Sequence, residues 1–378
     1  MRVDELAALK IERARLRVVS LPLVSPFTTS FGTQTERRAL LVELFSDGLV
    51  GRGESAAGID PGYSGETYRT DMEALRRHIL PSVVGHPQAN VDEQRRRYAW
   101  VRGYNMAKAA VEMALLDLAG QAHSLSLAAI LGGSKKRIPC GVSIGIQASI
   151  PATLDAIEGY LAKGYQRVKL KCKPGYDLQL AEAVRSRFPD TPIMLDANSA
   201  YTLEDAPRLR GLDQYRLMMI EQPLPHDDLI DHAALQHLLQ TPICLDESVE
   251  SLADLRAALA LGSGQILNIK LGRVGGLLPA REIHDSCKEA GWPVWCGGML
   301  ETGIGRAANL ALASLEGFTL PGDTSASDRY FTRDLLEEPF ALAAGGTLPV
   351  PDGPGLGVAV DQRRLDEATV ALEEVLVR

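Results

Sequence analysis

QRVKLK (166–171), PIMLD (192–196), RLMMIE (216–221), PICLD (242–246) and QILNIK (265–270) share one design, a short apolar run that ends on an ionisable residue. The terminal residues are Lys171, Asp196, Glu221, Asp246 and Lys270, spaced 25, 25, 25 and 24 residues apart. That interval fits one strand plus one helix, and amphipathic stretches such as LQLAEAVRSRF (178–188) and LADLRAALALG (252–262) fill the gaps. Strands apolar on both faces that alternate with helices specify a parallel sheet covered by helices. IPCGVSIG (138–145) before the series and PVWCGG (293–298) after it make seven units, and a weaker eighth is expected near 318–321. That number favours a closed (β/α) barrel over an open doubly wound sheet.

Outside the barrel the pattern changes. RARLRVVSLPL (13–23) and RRALLVELFSDGLVGRGESA (37–56) have strand spacing around the Asp47-Gly48 turn signal, which reads as a small antiparallel element. SPFTTSFGTQTE (25–36), rich in Ser, Thr and Gly, reads as a flexible loop. Residues 65–131 switch to helical spacing, most clearly in NMAKAAVEMALLDLAGQAH (105–123), where Met106, Ala110, Met113, Ala114 and Asp117 share one face. Strands followed by helices make 1–134 an α+β domain beside a catalytic barrel of residues 135–330. The tail 331–378, with LPVPDGPGLGVAV (348–360), is expected to return and pack on the first domain.

The 378 residues carry 40 Lys and Arg against 48 Asp and Glu, a formal net charge of −8, with 46% hydrophobic and 23% charged residues. This is a soluble, two-domain globular composition. No apolar run approaches the roughly 18 residues of a membrane span. The charged start MRVDELAALKIERARLRVV (1–19) lacks the apolar stretch of a secretory signal, so a cytoplasmic location is expected. Five scattered cysteines without a CxxC pair read as reduced, buried filler. An acidic chain with 5% aromatics lacks the basic field that nucleic-acid binding needs. Neither a GxGxxG after a strand nor a GxxxxGK[ST] occurs, and the histidines show no HExxH spacing.

Barrel enzymes place their active sites at the C-terminal ends of the strands, where the five ionisable residues fall. A single such residue is most simply a rim salt bridge. Three carboxylates on adjacent strands, however, repel and raise one another's pKa unless a cation holds them. Three oxygen donors without His or Cys describe a hard-metal site for Asp196, Glu221 and Asp246, with Mg²⁺ the first choice and Mn²⁺ the second. Glu247 competes with Asp246 as a ligand, but neighbours on a strand point to opposite sides, so only one is expected to face the ion. Lys171 and Lys270 flank the trio and approach a bound ligand from opposite sides. Near a cation and each other their ammonium forms are disfavoured, which suits abstraction of a proton α to a carboxylate. A general base alone supplies about 10²–10⁴-fold, so stabilisation of the developing oxyanion must supply the rest.

Lys169-Leu170-Lys171, Asp196-Ala197-Asn198, Glu221-Gln222-Pro223, Asp246-Glu247-Ser248 and Lys270 together resemble the enolase superfamily, muconate-lactonizing-type subgroup. CGGMLETGIGRAANLALASL (296–315) and LPGDTSASDRYF (320–331) resemble its N-succinylamino acid racemase / o-succinylbenzoate synthase family, also called N-acylamino acid racemases. The resemblance implies a modified (β/α)7β TIM barrel with an α+β capping domain, and FTTSFGTQTE (27–36) resembles the family's substrate-capping loop. It implies Lys171 and Lys270 as the acid/base pair, Asp196, Glu221 and Asp246 as Mg²⁺ ligands, and an enediolate, which is general to the superfamily. Lys169 and Asn198 would support the ligands or contact the substrate carboxylate, and Gly297, Gly298 and Met299 would line the N-acyl pocket. The glycines serve a strand-to-helix turn equally well. Ser143 is a pocket residue or an ordinary core hydroxyl, and Arg273 matches a racemase-associated arginine or serves as a helix cap or surface charge.

Two activities follow from the resemblance: racemisation of N-acylamino acids by two-base 1,1-proton transfer, and o-succinylbenzoate synthase dehydration in menaquinone biosynthesis. A dipeptide epimerase fits the GDTSASDRY segment less well. The resemblance also implies a small carboxylate substrate and a homo-oligomer, with an octamer one form. A binding module on the same fold would have lost a lysine or a carboxylate, and all five are present.

Overall fold

The computed structural model describes Leu6 and residues 9–86 and 90–376. Three antiparallel strands open the chain: β1 (Arg13–Thr28), β2 (Thr33–Ser46) and β3 (Leu49–Ser55). Helices α1 (Tyr68–Ala74), α2 (Val91–Arg96), α3 (Asn105–His123) and α4 (Leu127–Leu131) follow. The long helix α3 lies directly on β3, because Gly51 and Gly53 present bare backbone to it. A Cβ at Gly51 would stand 2.2 Å from the Ala114 carbonyl oxygen, and one at Gly53 1.9 Å from that of Ala110.

The expected loop at 25–36 is instead the tip of a hairpin. Phe27 pairs with Gln34 and Thr28 with Thr33, leaving only 29–32 as the turn, closed by a 2.9 Å bond from Thr29 N–H to the Gly32 carbonyl. Threonine and phenylalanine suit a pleated ribbon, which outweighs the loop-like composition.

After β4 (Arg137–Pro139) the barrel begins with β5 (Gly141–Ile144) and α5 (Ile150–Ala162). Then come β6 (Arg167–Lys171), α6 (Asp177–Arg187), β7 (Ile193–Asp196), α7 (Ala206–Arg210) and β8 (Ile220–Glu221). The remaining units are α8 (Leu229–Leu238), β9 (Ile243–Leu245), α9 (Leu252–Leu261), β10 (Ile266–Ile269), α10 (Leu277–Ala290), β11 (Val294–Cys296) and α11 (Gly303–Ala313). The sheet order β11-β10-β9-β8-β7-β6-β5 is sequential and parallel throughout. Ladder pairing in the run 216–221 is confined to the last two residues, so β8 is shorter than its apolar stretch.

Residues 318–323 join the two free edges. Phe318 bridges Val294 and Gly322 bridges Cys140, while Gly141 N–H donates to the Gly322 carbonyl at 2.7 Å. The eighth position is thus a bridging segment rather than a full strand. Inward-facing Met194, Met219, Cys244, Ile266 and Trp295 form an apolar plug inside the barrel, and the outward-facing residues join the main core. The tail splits its packing. Strand β12 (Thr347–Pro349) pairs with β4, whereas α12 (Gln362–Ala368) leads into β13 (Thr369–Leu376), which pairs with β1. Among the described residues no helix is long and apolar enough to cross a membrane.

Candidate active site

Strand register delivers the ionisable residues as one row. Lys171 is opposite Asp196, and Asp196 is opposite Glu221, on strands about 4.8 Å apart. Asp246 and Lys270 follow directly after Leu245 and Ile269, the last residues of β9 and β10. Lys169 shares the inward face of β6 with Lys171, two residues away. The turns beyond the strands are held by unusual backbone: Asn198, Ser199 and Gln222 all have positive φ, at 45°, 61° and 37°. Such strain gathers at functional sites and is held by its surroundings. Here the Gln222 side-chain carbonyl accepts from the backbone N–H groups of Asp246 and Ser248.

Each carboxylate of the row is paired. Lys171 Nζ donates to Asp196 Oδ2 and Asn198 Oδ1, both at 2.6 Å. Lys169 Nζ lies 3.1 Å from Asp196 Oδ2, 3.1 Å from Glu221 Oε2 and 2.7 Å from Asp323 Oδ2. Lys270 Nζ reaches Asp246 Oδ2 at 2.7 Å, and Arg273 pairs with the other oxygen, Oδ1. Burial works to raise the pKa of Asp196, but Lys171 and Lys169 hold it well below the usual carboxylate range. Asp246 is likewise held down against burial by Lys270 and Arg273. Glu221 goes the other way, pushed well up by burial and by the Asp196 charge, with Lys169 opposing.

Lys270 is held by its carboxylate neighbour. Burial lowers the pKa of Lys270, yet Asp246 outweighs it and holds the ammonium above the ordinary lysine range. The reason is that the nearest charge is a carboxylate at 2.7 Å rather than a cation. Among the described residues no group of three or more His, Cys, Asp or Glu is already gathered around a metal position. The donor set nonetheless fits a hard divalent ion: three buried carboxylates end three adjacent strands, and Asp196 and Asp246 both push Glu221 upward.

Above the row lies a cavity lined from the barrel by Ser143, Lys169, Lys171, Asn198, Lys270, Gly298 and Met299. Its other wall comes from the N-terminal domain. The hairpin tip contributes Phe27, Thr29 and Phe31, and Ser30 Oγ donates to the Asn198 carbonyl at 3.3 Å. The Ser143 hydroxyl is buried, faces the cavity and has no hydrogen-bond partner among the described residues.

Asp246 and Glu247 both lie beyond the end of β9 at Leu245 and take different partners. Glu247 Oε1 accepts from Asn198 Nδ2 at 2.9 Å, and burial plus the neighbouring Asp246 push its pKa up to about 7. Two sequence-based expectations, for Gly297 and Arg273, need correction. Gly297 does not line the cavity; it packs against Asn268, and a Cβ there would stand 2.2 Å from Asn268 Oδ1. Arg273 is neither a surface charge nor a helix cap. It is 3% exposed and donates to Asp246, to the Val249 and Asn268 carbonyls and to Tyr63.

Sequence reasoning missed Tyr63, Asn268 and Asp323. Tyr63 reaches across from the N-terminal domain: its hydroxyl donates to Asp246 Oδ1 at 2.9 Å and its ring lies 4.2 Å from Lys270 Nζ. Asn268 Nδ2 donates to Glu221 Oε1 at 2.7 Å. Asp323, 27 residues beyond the end of β11 at Cys296, continues the spacing of the row and was legible in principle. Burial opposes its ionisation, but Arg167 and Lys169 bring its pKa down to about 2.

A parallel barrel with this row at its mouth and a separate α+β cover defines the enolase superfamily. The family described as "Enolase C-terminal domain-like" matches residues 152–364, and "Mandelate racemase / muconate lactonizing enzyme, N-terminal domain" matches residues 12–132. The chain belongs to this superfamily. Within it, the chain is 52% identical to the o-succinylbenzoate synthase of Geobacillus stearothermophilus, covering 96% of each chain. It is 50% identical to the N-succinylamino acid racemase of an Amycolatopsis species, covering 96% of this chain and 98% of that one. The crystal structure of an enolase-superfamily member from Listeria innocua superposes with a TM-score of 0.94 at 42% identity, covering 98% of this chain and all of that one.

Proposed function

We propose that the protein racemises N-acylamino acids, with Lys171 and Lys270 exchanging the α-proton between the two faces of the substrate. The observation that carries this reading is that both ammonium groups line one cavity, with three strands of the barrel between β6 and β10. One lysine takes the proton from one face and the other returns a proton to the opposite face. Each donates to a carboxylate here, Lys171 to Asp196 and Lys270 to Asp246, and acts as a base once that bond is released. Asp196, Glu221 and Asp246 would hold Mg²⁺, with Mn²⁺ an alternative. Such a cation supplies charge stabilisation at the substrate carboxylate as the α-carbon loses its proton.

The chain's own groups bind and orient. Ser143 offers a free hydroxyl, Gly298 and Met299 flank the acyl group, and Asn198 steadies Lys171. Residues 1–134 cap the site, 135–330 carry the chemistry and 331–378 tie the two together. A cytoplasmic homo-oligomer, with an octamer one form, completes the proposal.

One observation favours o-succinylbenzoate synthase as the second reading. In that dehydration Lys171 serves as base and then acid, while Lys270 stays a cation, and the Tyr63 ring at 4.2 Å is placed to stabilise a cation there. The discriminating experiment is a ¹H NMR time course in D₂O with Mg²⁺ and N-succinyl-L-methionine or N-succinyl-L-phenylglycine, read alongside optical rotation. Loss of the α-proton signal with decay of rotation to zero is expected. Exchange with retained rotation would move the assignment to the synthase, and no exchange would discard the substrate class.

A further inference from the structure

One buried contact is used by neither reaction. Asp323 lies on the segment that closes the barrel, its backbone N–H donating to the Cys296 carbonyl at 2.9 Å. Its oxygens are divided between two cations, Oδ1 at 2.8 Å from Arg167 and Oδ2 at 2.7 Å from Lys169 Nζ. Arg167 is anchored in turn by the Pro321 carbonyl, at 2.8 Å, and lies 4.9 Å from the Trp295 ring centre. The Asp323 carboxylate therefore sits between two buried cations. Lys169, at the end of a flexible stem, has a choice of three carboxylates, and its shortest contact is to Asp323, against 3.1 Å to both Asp196 and Glu221.

We propose that Asp323 is a positioning residue that draws the Lys169 ammonium away from Asp196 and Glu221 and so keeps those carboxylates available to a divalent cation. The inference rests on the metal reading given above. An ammonium left between two buried carboxylates competes for the same oxygens that a cation needs. A third carboxylate, carried by the barrel-closing segment rather than by the row, relieves that competition. Groups that orient ligand side chains in this way commonly change metal affinity by about 10–100-fold when removed.

The test is Mn²⁺ binding to the protein without substrate, read from the electron paramagnetic resonance signal of free Mn²⁺. It compares wild type, Asp323→Asn, Lys169→Met and the double variant, with a thermal melt of each. Asp323→Asn is expected to weaken Mn²⁺ binding about 10–100-fold. In the Lys169→Met background the same change is expected to alter it by less than about twofold, since the competitor is gone. If Asp323→Asn does not fold, Asp323→Glu replaces it in both backgrounds, with a smaller loss and the same cancellation. Equal affinity in wild type and Asp323→Asn overturns the proposal. So does a loss that persists without Lys169, which would assign Asp323 to packing with Arg167. No Mn²⁺ binding by wild type would overturn the metal reading itself and this inference with it.

Discussion

At the scale of single residues, the pairing pattern predicts which side chains can be removed without loss of the fold. Asp196 retains Lys169 if Lys171 is lost, and Asp246 retains Arg273 if Lys270 is lost. Neither substitution strands an unpaired buried carboxylate, which is the costly outcome. Lys171→Ala and Lys270→Ala are therefore expected to keep the wild-type circular dichroism spectrum while each lowers racemisation by at least about 10²–10⁴-fold. Full racemase activity in either variant would refute the two-base assignment. Gly297 makes the opposite case, a residue without chemistry whose neighbour supports it. A methyl group there meets Asn268 Oδ1 at 2.2 Å, and Asn268 holds Glu221. Gly297→Ala is expected to destabilise the protein by about 1–3 kcal/mol through overpacking. An unchanged thermal midpoint would show that the barrel interior can yield at this point.

At the scale of elements, the cover and the barrel meet at the start of α11. Glu54, on β3, accepts from Thr302 Oγ1 at 2.7 Å and from the Gly305 backbone N–H at 3.0 Å, so a carboxylate of one domain closes a helix terminus of the other. Burial raises the pKa of Glu54 to about 7, with Arg37 and the Thr302 hydroxyl opposing. A folded-state pKa above the unfolded value means that the folded form binds the extra proton. The associated stability is present below about pH 4.5 and is lost as pH rises through 7. Glu54→Gln keeps an acceptor but cannot ionise. Relative to wild type it should gain stability between pH 5 and 7.5, on the order of 3 kcal/mol at most. Urea midpoints at the two pH values check this, and a difference that does not change with pH would contradict it.

The same scale shows what the sequence could and could not reveal. Strand ends at Lys171, Asp196, Glu221, Asp246 and Lys270 were legible because a parallel barrel repeats one local unit, and that repeat is a property of neighbouring residues. Asp323 was lost because its segment, 318–323, pairs through isolated bridges and carries no aliphatic run. Tyr63 lies 183 residues from Asp246, and no local periodicity reports a bond across that distance. The hairpin tip at 29–32 was misread for a related reason: Ser, Thr and Gly describe a loop until tertiary pairing turns the flanking residues into strands.

At the scale of the whole molecule, the chain ends in the sheet where it begins. The four-stranded order β13-β1-β2-β3 places β13 at an edge, paired with β1 from Arg13↔Leu376 to Val19↔Thr369. Thr369 also accepts from the buried Arg17 at 2.7 Å, and Glu374 pairs with Arg15 at 2.7 Å. Removing residues 369–378 would expose the unpaired backbone of β1 along seven positions, a template for association with other chains. It would leave the barrel ladder untouched, since among the described residues β5 to β11 pair only with one another and with 318–323. The expected result is a lower thermal midpoint and a concentration-dependent rise in apparent mass on size exclusion, with the far-ultraviolet helical signal largely kept. Because the hairpin tip over the active site belongs to β1 and β2, the truncated chain should also bind substrate more weakly. A truncated protein with wild-type midpoint, mass and KM would show that β13 merely lies against the sheet. In that case the cover would be held over the barrel by direct contacts such as Glu54 to Thr302, Tyr63 to Asp246, Ser30 to Asn198 and Asn105 to the Arg273 carbonyl.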